Sequence, residues 1–395
     1  MLGLKLGGCR QEAANRSRQA INGGFNMGES KRIERALRAA AAFDEGRLDR
    51  RTFLKLSAAA GIAPAVLTGI ARTARADVRV VHSNWGGDAV SCYESIYVPA
   101  FENAHEGSSV VIDGTGPLEG KIKAMVEAGD VTWDVCDVDA FNILRLGKQD
   151  MLEPYDYAIV DKAKILAPYT WEYGCLGYWY SNILAWDSGK VTATPTWADF
   201  FDVEKYPGKR TLYKWAVGSP ECALLADGVA PDALYPLDLD RAWKKIESIK
   251  DSLVFWGSGA ESQQMFLQGE VVMGNVWHTR ASVLERDTEE RVKWTWEEGQ
   301  AAPAGWLTPK GNPAGLQAAM EWVAAMQDPA LQVAVMNCFG QGPANPAAAD
   351  LMTPAERRLH PAAPENYKVQ IPIDSAYYAD HYDQVLNEYL DLISA

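Results

Sequence analysis

The stretch "VRVVHSNWGGDAVSCYESIYVPAFENAHEGSSVVIDG" (78–114) decides the fold of this 395-residue chain. Its two ends are rich in β-branched residues, which predict short strands. Between them, apolar side chains recur at helical spacing from Tyr93 to Ala104, and Gly107 ends the pattern. A strand, a helix and a second strand in this order predict a sheet with parallel strands.

The same alternation continues along the chain. "PLEGKIKAMVEAGD" (117–130) predicts a helix, "WDVCDVD" (133–139) a buried strand, and "AFNILRLGKQD" (140–150) another helix. No internal repeat or low-complexity linker interrupts the pattern. The sequence therefore predicts an α/β fold.

Aromatic and acidic residues follow the predicted strands directly. Trp85, Gly87 and Asp88 come after the first strand, and Asp139 and Phe141 come at the end of the third. Ligands in such sheets bind beyond the carboxyl ends of the strands, so these residues are candidates for a binding site. A tryptophan followed by two glycines offers an aromatic surface with space beside the backbone. Packing of this tryptophan against its own helix remains the alternative.

An export signal precedes the first strand. "RLDRRTFLKLSAAAGIAPAVLTGIARTARA" (47–76) has a basic part, an apolar part too short to span a bilayer, and a small-residue end. The adjacent Arg50 and Arg51 resemble the twin-arginine signal that the bacterial twin-arginine export machinery recognises. We therefore expect a periplasmic protein that is mature from about Asp77. An amphipathic surface helix with a chance arginine pair is the alternative.

Residues 1–76 as a whole are expected to form a leader that is removed on export. Met27 is a plausible start, in which case 1–26 is an extension of the gene model.

Charge limits the classes of partner. The chain has 38 Lys+Arg and 52 Asp+Glu, of which 14 basic and 6 acidic residues lie in 1–76. Residues 77–395 therefore carry 24 basic and 46 acidic residues, a formal net charge of −22. Such a surface repels nucleic acid and anionic membranes and favours small cationic or neutral partners. About 320 residues suit two lobes better than one.

Enzyme and metal motifs are missing from the sequence. "GTGPLEGKI" (114–122) departs from the phosphate-loop spacing, and neither H-E-x-x-H nor G-x-S-x-G occurs. The five histidines show no metal-ligand spacing, so we predict no catalytic residues, no metal and no cofactor. An enzyme on the same fold remains the alternative. Five cysteines follow the leader without a C-x-x-C pair; Cys136 is expected in the core, and a disulfide among the five is possible with its pairing open.

An ordered set of segments carries a family resemblance. The segments are "NWGG", "WDVCDVDAF", "LEPYD", "YGCLGYWYSN", "PTWADFFDVEKYPGK", "FLQGEVVMGNVWHTR", "EEGQAAPAGWLTPKG" and "GQGPANPAA". Together they resemble the bacterial extracellular (periplasmic) solute-binding proteins of ABC importers, in particular the spermidine/putrescine-binding branch, over nearly all of 77–395.

The resemblance implies a two-lobed, type II periplasmic-binding-protein-like α/β fold, with a mixed sheet flanked by helices in each lobe and a hinge between them. We expect lobe 1 in 77–180 plus 298–340, and lobe 2 in 181–297 plus 341–395. The chain is expected to cross near Gly177–Ser181 and Glu297–Gly305. The implied function is that of a monomer, not an enzyme, that delivers a small solute to a permease in the inner membrane.

The binding residues of the family carry over only in part. Trp85, Phe141 and Trp277 match aromatic positions, whereas positions that hold acids or a tyrosine in relatives are occupied here by residues such as Arg280 and Gln341. The predicted ligand-binding residues are Trp85, Gly87, Asp88, Asp139, Phe141, Trp215, Glu221, Trp277, Arg280 and Gln341.

The altered site changes the expected solute. Arg280 and Lys214 offer partners for a carboxylate or sulfonate, and several acids, including Asp137 and Glu261, offer partners for an amine. We therefore expect a small zwitterion or amino-acid-like compound. A polyamine remains the alternative, as does pairing of Arg280 with a carboxylate of the protein itself.

Overall fold

The computed structural model describes residues 78–394, together with Ala39, Thr52, Phe53, Lys55 and Leu56. The segment Val78–Ala395 forms one compact unit. The predicted arginine pair and cleavage site lie outside the described residues. In the described part of the chain, no helix has both the length and the apolar character needed to cross a membrane.

Strands and helices alternate in the first part of 78–394, up to Lys148, as the sequence predicts. The strands are β1 (Arg79–Ser83), β2 (Ser109–Asp113), β3 (Val135–Asp139), β4 (Thr170–Trp171), β5 (Gly174–Asp187), β6 (Lys209–Tyr213), β7 (Leu253–Trp256), β8 (Val271–Trp277), β9 (Val292–Leu307), β10 (Gly342–Pro343) and β11 (Ile371–Pro372). The helices are α1 (Asp88–Ala104), α2 (Glu119–Ala128), α3 (Ala140–Lys148), α4 (Trp197–Phe201), α5 (Ser219–Ala226), α6 (Leu239–Glu247), α7 (Gly259–Leu267), α8 (His278–Asp287), α9 (Leu316–Met326), α10 (Pro329–Phe339), α11 (Pro354–Arg357), α12 (Pro364–Tyr367) and α13 (Ser375–Ser394).

The strands form one mixed sheet in the order β2–β1–β3–β9–β5–β8–β6–β7, with β4 and β10 beside β5 and β11 beside β9. Strands β2, β1 and β3 are parallel and make up a first group. Strands β8, β6 and β7 are parallel and make up a second group. The long strands β5 and β9 are antiparallel to each other and connect the two groups.

Strands β5 and β9 lose their regular pairing between the two groups. Asn182 pairs with Gln300, but Leu184 pairs with Thr295, so residues 296–299 of β9 form a bulge opposite Ile183. A bulge bends a strand and increases its local twist. The crossings predicted from the sequence fall within β5 and within β9; the predicted lobe boundaries stay a prediction.

The core forms between the sheet and the aromatic faces of the helices. Helix α1 buries Tyr93, Tyr97 and Phe101, and its ring contacts extend to Trp322 of α9. Cys136 of β3 is fully buried, which confirms that it is a core residue. Burial of large aromatic side chains of this kind supplies much of the stability of such cores.

A disulfide joins α1 to α10 through Cys92 and Cys338. This pairing, which the sequence left open, covalently links segments 246 residues apart in the chain. The other described cysteines, Cys136, Cys175 and Cys222, are buried and free, and burial raises the pKa of each thiol. They therefore act as small apolar core residues.

Candidate ligand-binding site

A cavity lies where the carboxyl ends of β1, β3 and β8 face each other. It is small, with a volume of about 30 Å³, and it is partly open to solvent. Its lining residues are Trp85, Ala89, Asp137, Asp139, Tyr178, Tyr180, Trp277, Thr279, Arg280, Phe339 and Gln341. The cavity thus occupies the position at which the strand order predicts a ligand.

Two tryptophans from opposite strand groups meet over the cavity. Trp85 follows β1 and Trp277 ends β8, and their ring centroids are 5.7 Å apart. The Trp85 Nε1–H donates a hydrogen bond of 2.8 Å to the Tyr178 hydroxyl, which holds the indole in place. Trp85 therefore faces the cavity and the second strand group. Such aromatic faces suit the methylene groups of a ligand and, by cation–π attraction, an ammonium group.

The turn after Trp85 needs glycine for its geometry. Gly86 has a φ of 74°, and a Cβ placed on it would lie 2.6 Å from the carbonyl oxygen of Gly114. The carbonyl of Gly86 accepts a hydrogen bond of 2.9 Å from Arg280 Nη2. The glycines therefore bring the backbone of the first strand group against a side chain of the second.

Arg280 is a buried cation with unused hydrogen-bond donors. Its side chain is 1% exposed, and its Nη1 lies 3.9 Å from Asp88 Oδ2, which is too long for a hydrogen bond. Neither Nε nor Nη1 has a hydrogen-bond partner among the described residues. Burial lowers the pKa of the guanidinium to about 10, so it stays protonated at neutral pH. An arginine in this state favours an anionic group in the cavity.

Asp139 is a carboxylate with spare acceptor capacity in the same cavity. Its Oδ1 accepts a hydrogen bond of 2.7 Å from the Tyr180 hydroxyl. Among the described residues, no lysine or arginine forms an ion pair with it. Burial raises the pKa of Asp139 to about 6, although the bond from Tyr180 acts in the opposite direction. The carboxylate is therefore ionised at neutral pH and can receive an ammonium group.

Asp137, two residues earlier on β3, is bound within the protein instead. Its Oδ1 accepts from Trp306 Nε1 at 2.9 Å and lies 3.0 Å from His82 Nε2. His82 Nδ1 accepts from Trp322 Nε1 at 2.8 Å, so the proton of the neutral imidazole is on Nε2 and is donated to Asp137. Asp137 is therefore an anchor of the core, and Asp139 is the acid available to a ligand.

The remaining predicted residues divide into two sets. Gly87 and Asp88 are not among the lining residues; they lie beside Arg280, and Asp88 Oδ2 accepts a hydrogen bond of 3.0 Å from Gln263 of α7. The predicted residues that line the cavity itself are Trp85, Asp139, Trp277, Arg280 and Gln341. The lining residues come from segments of the chain that are as far apart as Trp85 and Gln341.

Phe141, Trp215 and Glu221 do not line this cavity. Phe141 is buried against the ring of Tyr378, with centroids 5.5 Å apart. Glu221 is fully buried and accepts a hydrogen bond of 2.8 Å from the same Tyr378 hydroxyl. Trp215 donates to the carbonyl of Gly257 at 3.4 Å. Each of these side chains already has partners within the protein.

The other charged candidates have local roles. Glu261 accepts hydrogen bonds from the backbone N–H groups of Gly257 and Ser258 and caps the start of α7. Lys214 lies 5.7 Å from the ring centroid of Trp215. Within residues 78–394, no group of three or more His, Cys, Asp or Glu side chains is arranged to hold a metal ion.

Sequence reasoning missed Tyr178, Tyr180, Thr279 and Phe339, which also line the cavity. The two tyrosines alternate along β5 and therefore point to the same face of the sheet. That spacing in "GYWYSN" was a usable signal once β5 was known to cross the cavity. Phe339 ends α10, and the chain before it gives no comparable signal.

Comparisons with known proteins decide the family. Residues 97–364 match the family model described as bacterial extracellular solute-binding protein. The chain is 30% identical over 309 residues to the gamma-aminobutyric acid-binding protein of Pseudomonas aeruginosa, covering 76% of this chain and 87% of that protein. The chain belongs to the bacterial extracellular solute-binding protein family.

Solved structures agree with this assignment. The structure of the Atu4243-GABA receptor superimposes with a TM-score of 0.72 at 36% identity, covering 80% of this chain and 97% of that one. The PBP AgtB from A. tumefaciens R10 in complex with agropinic acid gives a TM-score of 0.75 at 31% identity, covering 80% and 99%. The predicted type II periplasmic-binding-protein fold is therefore confirmed.

Membership confirms the general function predicted from the sequence. This solute-binding protein is the substrate-binding component of an ABC importer, which captures a small polar solute and delivers it to a membrane permease. Relatives of the family are extracellular solute-binding proteins, which implies a periplasmic location.

Proposed function

We propose that the solute is a small zwitterion of the ω-amino acid class, with 4-aminobutyrate (GABA) as the best candidate. The observation that carries this proposal is the free Nε and Nη1 of buried Arg280 in the cavity that also holds Asp139. Arg280 binds the carboxylate of the solute and Asp139 binds its ammonium group. Trp85 and Trp277 pack against the methylene groups between them. The names of two relatives, a gamma-aminobutyric acid-binding protein and a GABA receptor, support the same choice.

A polyamine is the second candidate, because the sequence also resembles polyamine-binding proteins. A diamine carries a cation at each end, and one of those ends would lie near the buried guanidinium of Arg280. Like charges in a poorly solvated cavity repel each other strongly. The cationic lining at Arg280 therefore favours the zwitterion over the polyamine.

Three four-carbon compounds separate these candidates by calorimetry on the mature protein. GABA has both charged ends, butyrate lacks the amine, and putrescine lacks the carboxylate. We expect GABA to bind on the order of a hundredfold more tightly than either of the others, since each loses a charge-assisted bond to a buried partner. GABA at a hundred times its dissociation constant should add about 2.7 kcal/mol to the free energy of unfolding. Putrescine binding as tightly as GABA would contradict the proposal.

We further propose that the protein binds its solute without breaking or forming a covalent bond. The support is that the relatives are solute-binding proteins and that the charged cavity residues serve in ion pairs and hydrogen bonds. Solute recovered from the protein after long incubation should give an unchanged proton NMR spectrum.

We also propose that the protein is exported by the twin-arginine pathway and that the mature protein is a monomer. Its support is the order of basic, apolar and small-residue parts in 47–76. Changing Arg50 and Arg51 to lysine should leave the precursor in the cytoplasm, whereas the unchanged precursor should yield a mature N-terminus at Asp77. Normal periplasmic accumulation of the double-lysine variant would exclude this pathway. Light scattering of the mature protein should give the mass of one chain.

A further inference from the structure

The amide of Gln341 presents an unused acceptor to the cavity. Gln341 is only 5% exposed, and its Nε2 donates a hydrogen bond of 2.9 Å to the Tyr93 hydroxyl. Its Oε1 is buried and has no hydrogen-bond partner among the described residues. A buried acceptor without a donor is unfavourable, so a donor from the ligand at this position would be stabilising.

The hydrogen bond to Tyr93 determines which atom of the Gln341 amide lacks a partner. The Tyr93 hydroxyl accepts from Gln341 Nε2 at 2.9 Å, so Nε2 is toward Tyr93. Oε1 is then the amide atom left without a donor at the cavity that Gln341 lines.

The backbone around Gln341 is held against the same helix by a covalent link. Cys92, which precedes Tyr93 on α1, forms the disulfide with Cys338, three residues before Gln341. Gly340 between them has a φ of 92°, and a Cβ on it would lie 2.6 Å from Ser282 Oγ. The amide is therefore fixed by a disulfide, a hydrogen bond and a tight turn, and its orientation is preorganised.

We propose that Gln341 Oε1 is the second acceptor for the ammonium group of the solute, and that it makes the site selective for primary ammonium groups over N-methylated ones. This inference rests on the proposed function. A primary ammonium group has three N–H donors, of which Asp139 takes one and Gln341 takes another. An N,N-dimethylated ammonium group has a single N–H, which goes to Asp139 and leaves Gln341 without a donor.

The test compares two ligands on two proteins by calorimetry. GABA and 4-(dimethylamino)butyrate are titrated into the wild-type protein and into Gln341→Met, which keeps the side-chain length but removes the amide. We expect Gln341→Met to weaken GABA about tenfold, equivalent to 1.4 kcal/mol, and to change the affinity for the dimethyl ligand less than twofold. Gln317→Met, the same change at an exposed site on α9, should alter neither affinity.

Tyr93→Phe tests the orienting bond separately, because it removes the oxygen that accepts from Gln341 while keeping the ring. We expect GABA to weaken about threefold and the dimethyl ligand to be unaffected. If Gln341→Met weakens both ligands by the same factor, Gln341 has only a packing role and the inference is wrong. If GABA fails to bind even the wild-type protein, the proposed function is wrong and this inference falls with it. If GABA binds the wild-type protein tightly, but neither Gln341→Met nor Tyr93→Phe changes its affinity relative to that of the dimethyl ligand, only this inference is wrong.

Discussion

Replacing Arg280 with glutamine should weaken GABA binding on the order of a hundredfold. The guanidinium is fully buried, and its Nε and Nη1 have no hydrogen-bond partner among the described residues. Removing one partner of a buried, hydrogen-bonded charge pair costs about 2–5 kcal/mol, and a hundredfold change corresponds to about 2.7 kcal/mol. Isothermal titration of GABA into the variant measures the loss directly.

The same substitution should not lower the stability of the ligand-free protein. Among the described residues, the buried Arg280 charge has one hydrogen bond, to the Gly86 carbonyl, with the Asp88 carboxylate 3.9 Å away and the Phe339 ring nearby. Because a poorly compensated buried charge is unfavourable, the melting temperature of Arg280→Gln without ligand should equal or exceed that of the wild type. Putrescine should bind the variant more tightly than the wild type.

Arg286 on the same helix provides the matched control. Its side chain is exposed and pairs with the neighbouring Asp287. Arg286→Gln should leave GABA affinity unchanged, since surface ion pairs contribute little. If Arg280→Gln and the wild type bind GABA equally well, Arg280 has a structural role and does not bind the solute.

Acidification should release GABA below a pH of about 6. The pKa of Asp139 is raised to about 6 in the ligand-free protein, because burial favours the neutral acid. A bound ammonium group favours the ionised carboxylate, so the pKa of Asp139 in the complex is lower than in the free protein. Affinity is therefore full above about pH 6 and falls as the pH drops through this value. The GABA affinity falls by at most about tenfold per pH unit, until the pH reaches the pKa of Asp139 in the complex.

Calorimetry between pH 5 and pH 8 measures how the GABA affinity depends on pH. The proton uptake of the ligand-free protein is measured over the same range. Asp139→Asn should bind GABA at least about tenfold more weakly at pH 8 and should lose the dependence on pH in this window. Tyr180→Phe removes the bond that lowers the pKa of Asp139, so its profile should shift to higher pH. Asp287→Asn, an exposed acid on α8, should retain the wild-type profile. A wild-type affinity that is constant from pH 5 to pH 8 would contradict the assignment of Asp139.

The sequence by itself determined the local structure and the general position of the site. β-branched runs and helical spacing depend on neighbours a few residues apart, which is why β1, α1, β2 and β3 were predictable. Because the carboxyl ends of parallel strands share an edge, Trp85 and Asp139 could also be assigned to the site. The ordered family segments added the type II fold and the transport function.

Only the tertiary structure decided which charged and aromatic side chains meet. Phe141 begins just after β3 and Glu221 lies at the start of α5, yet both side chains contact Tyr378 instead of the cavity. The pairing of Cys92 with Cys338 and the contact of Gln341 with Tyr93 join segments nearly 250 residues apart. Such distances depend on how β5 and β9 place the two strand groups, and no local pattern encodes them. Burial and hydrogen-bond partners arise from the same packing, so the free donors of Arg280 and the raised pKa of Asp139 became visible only in the folded protein.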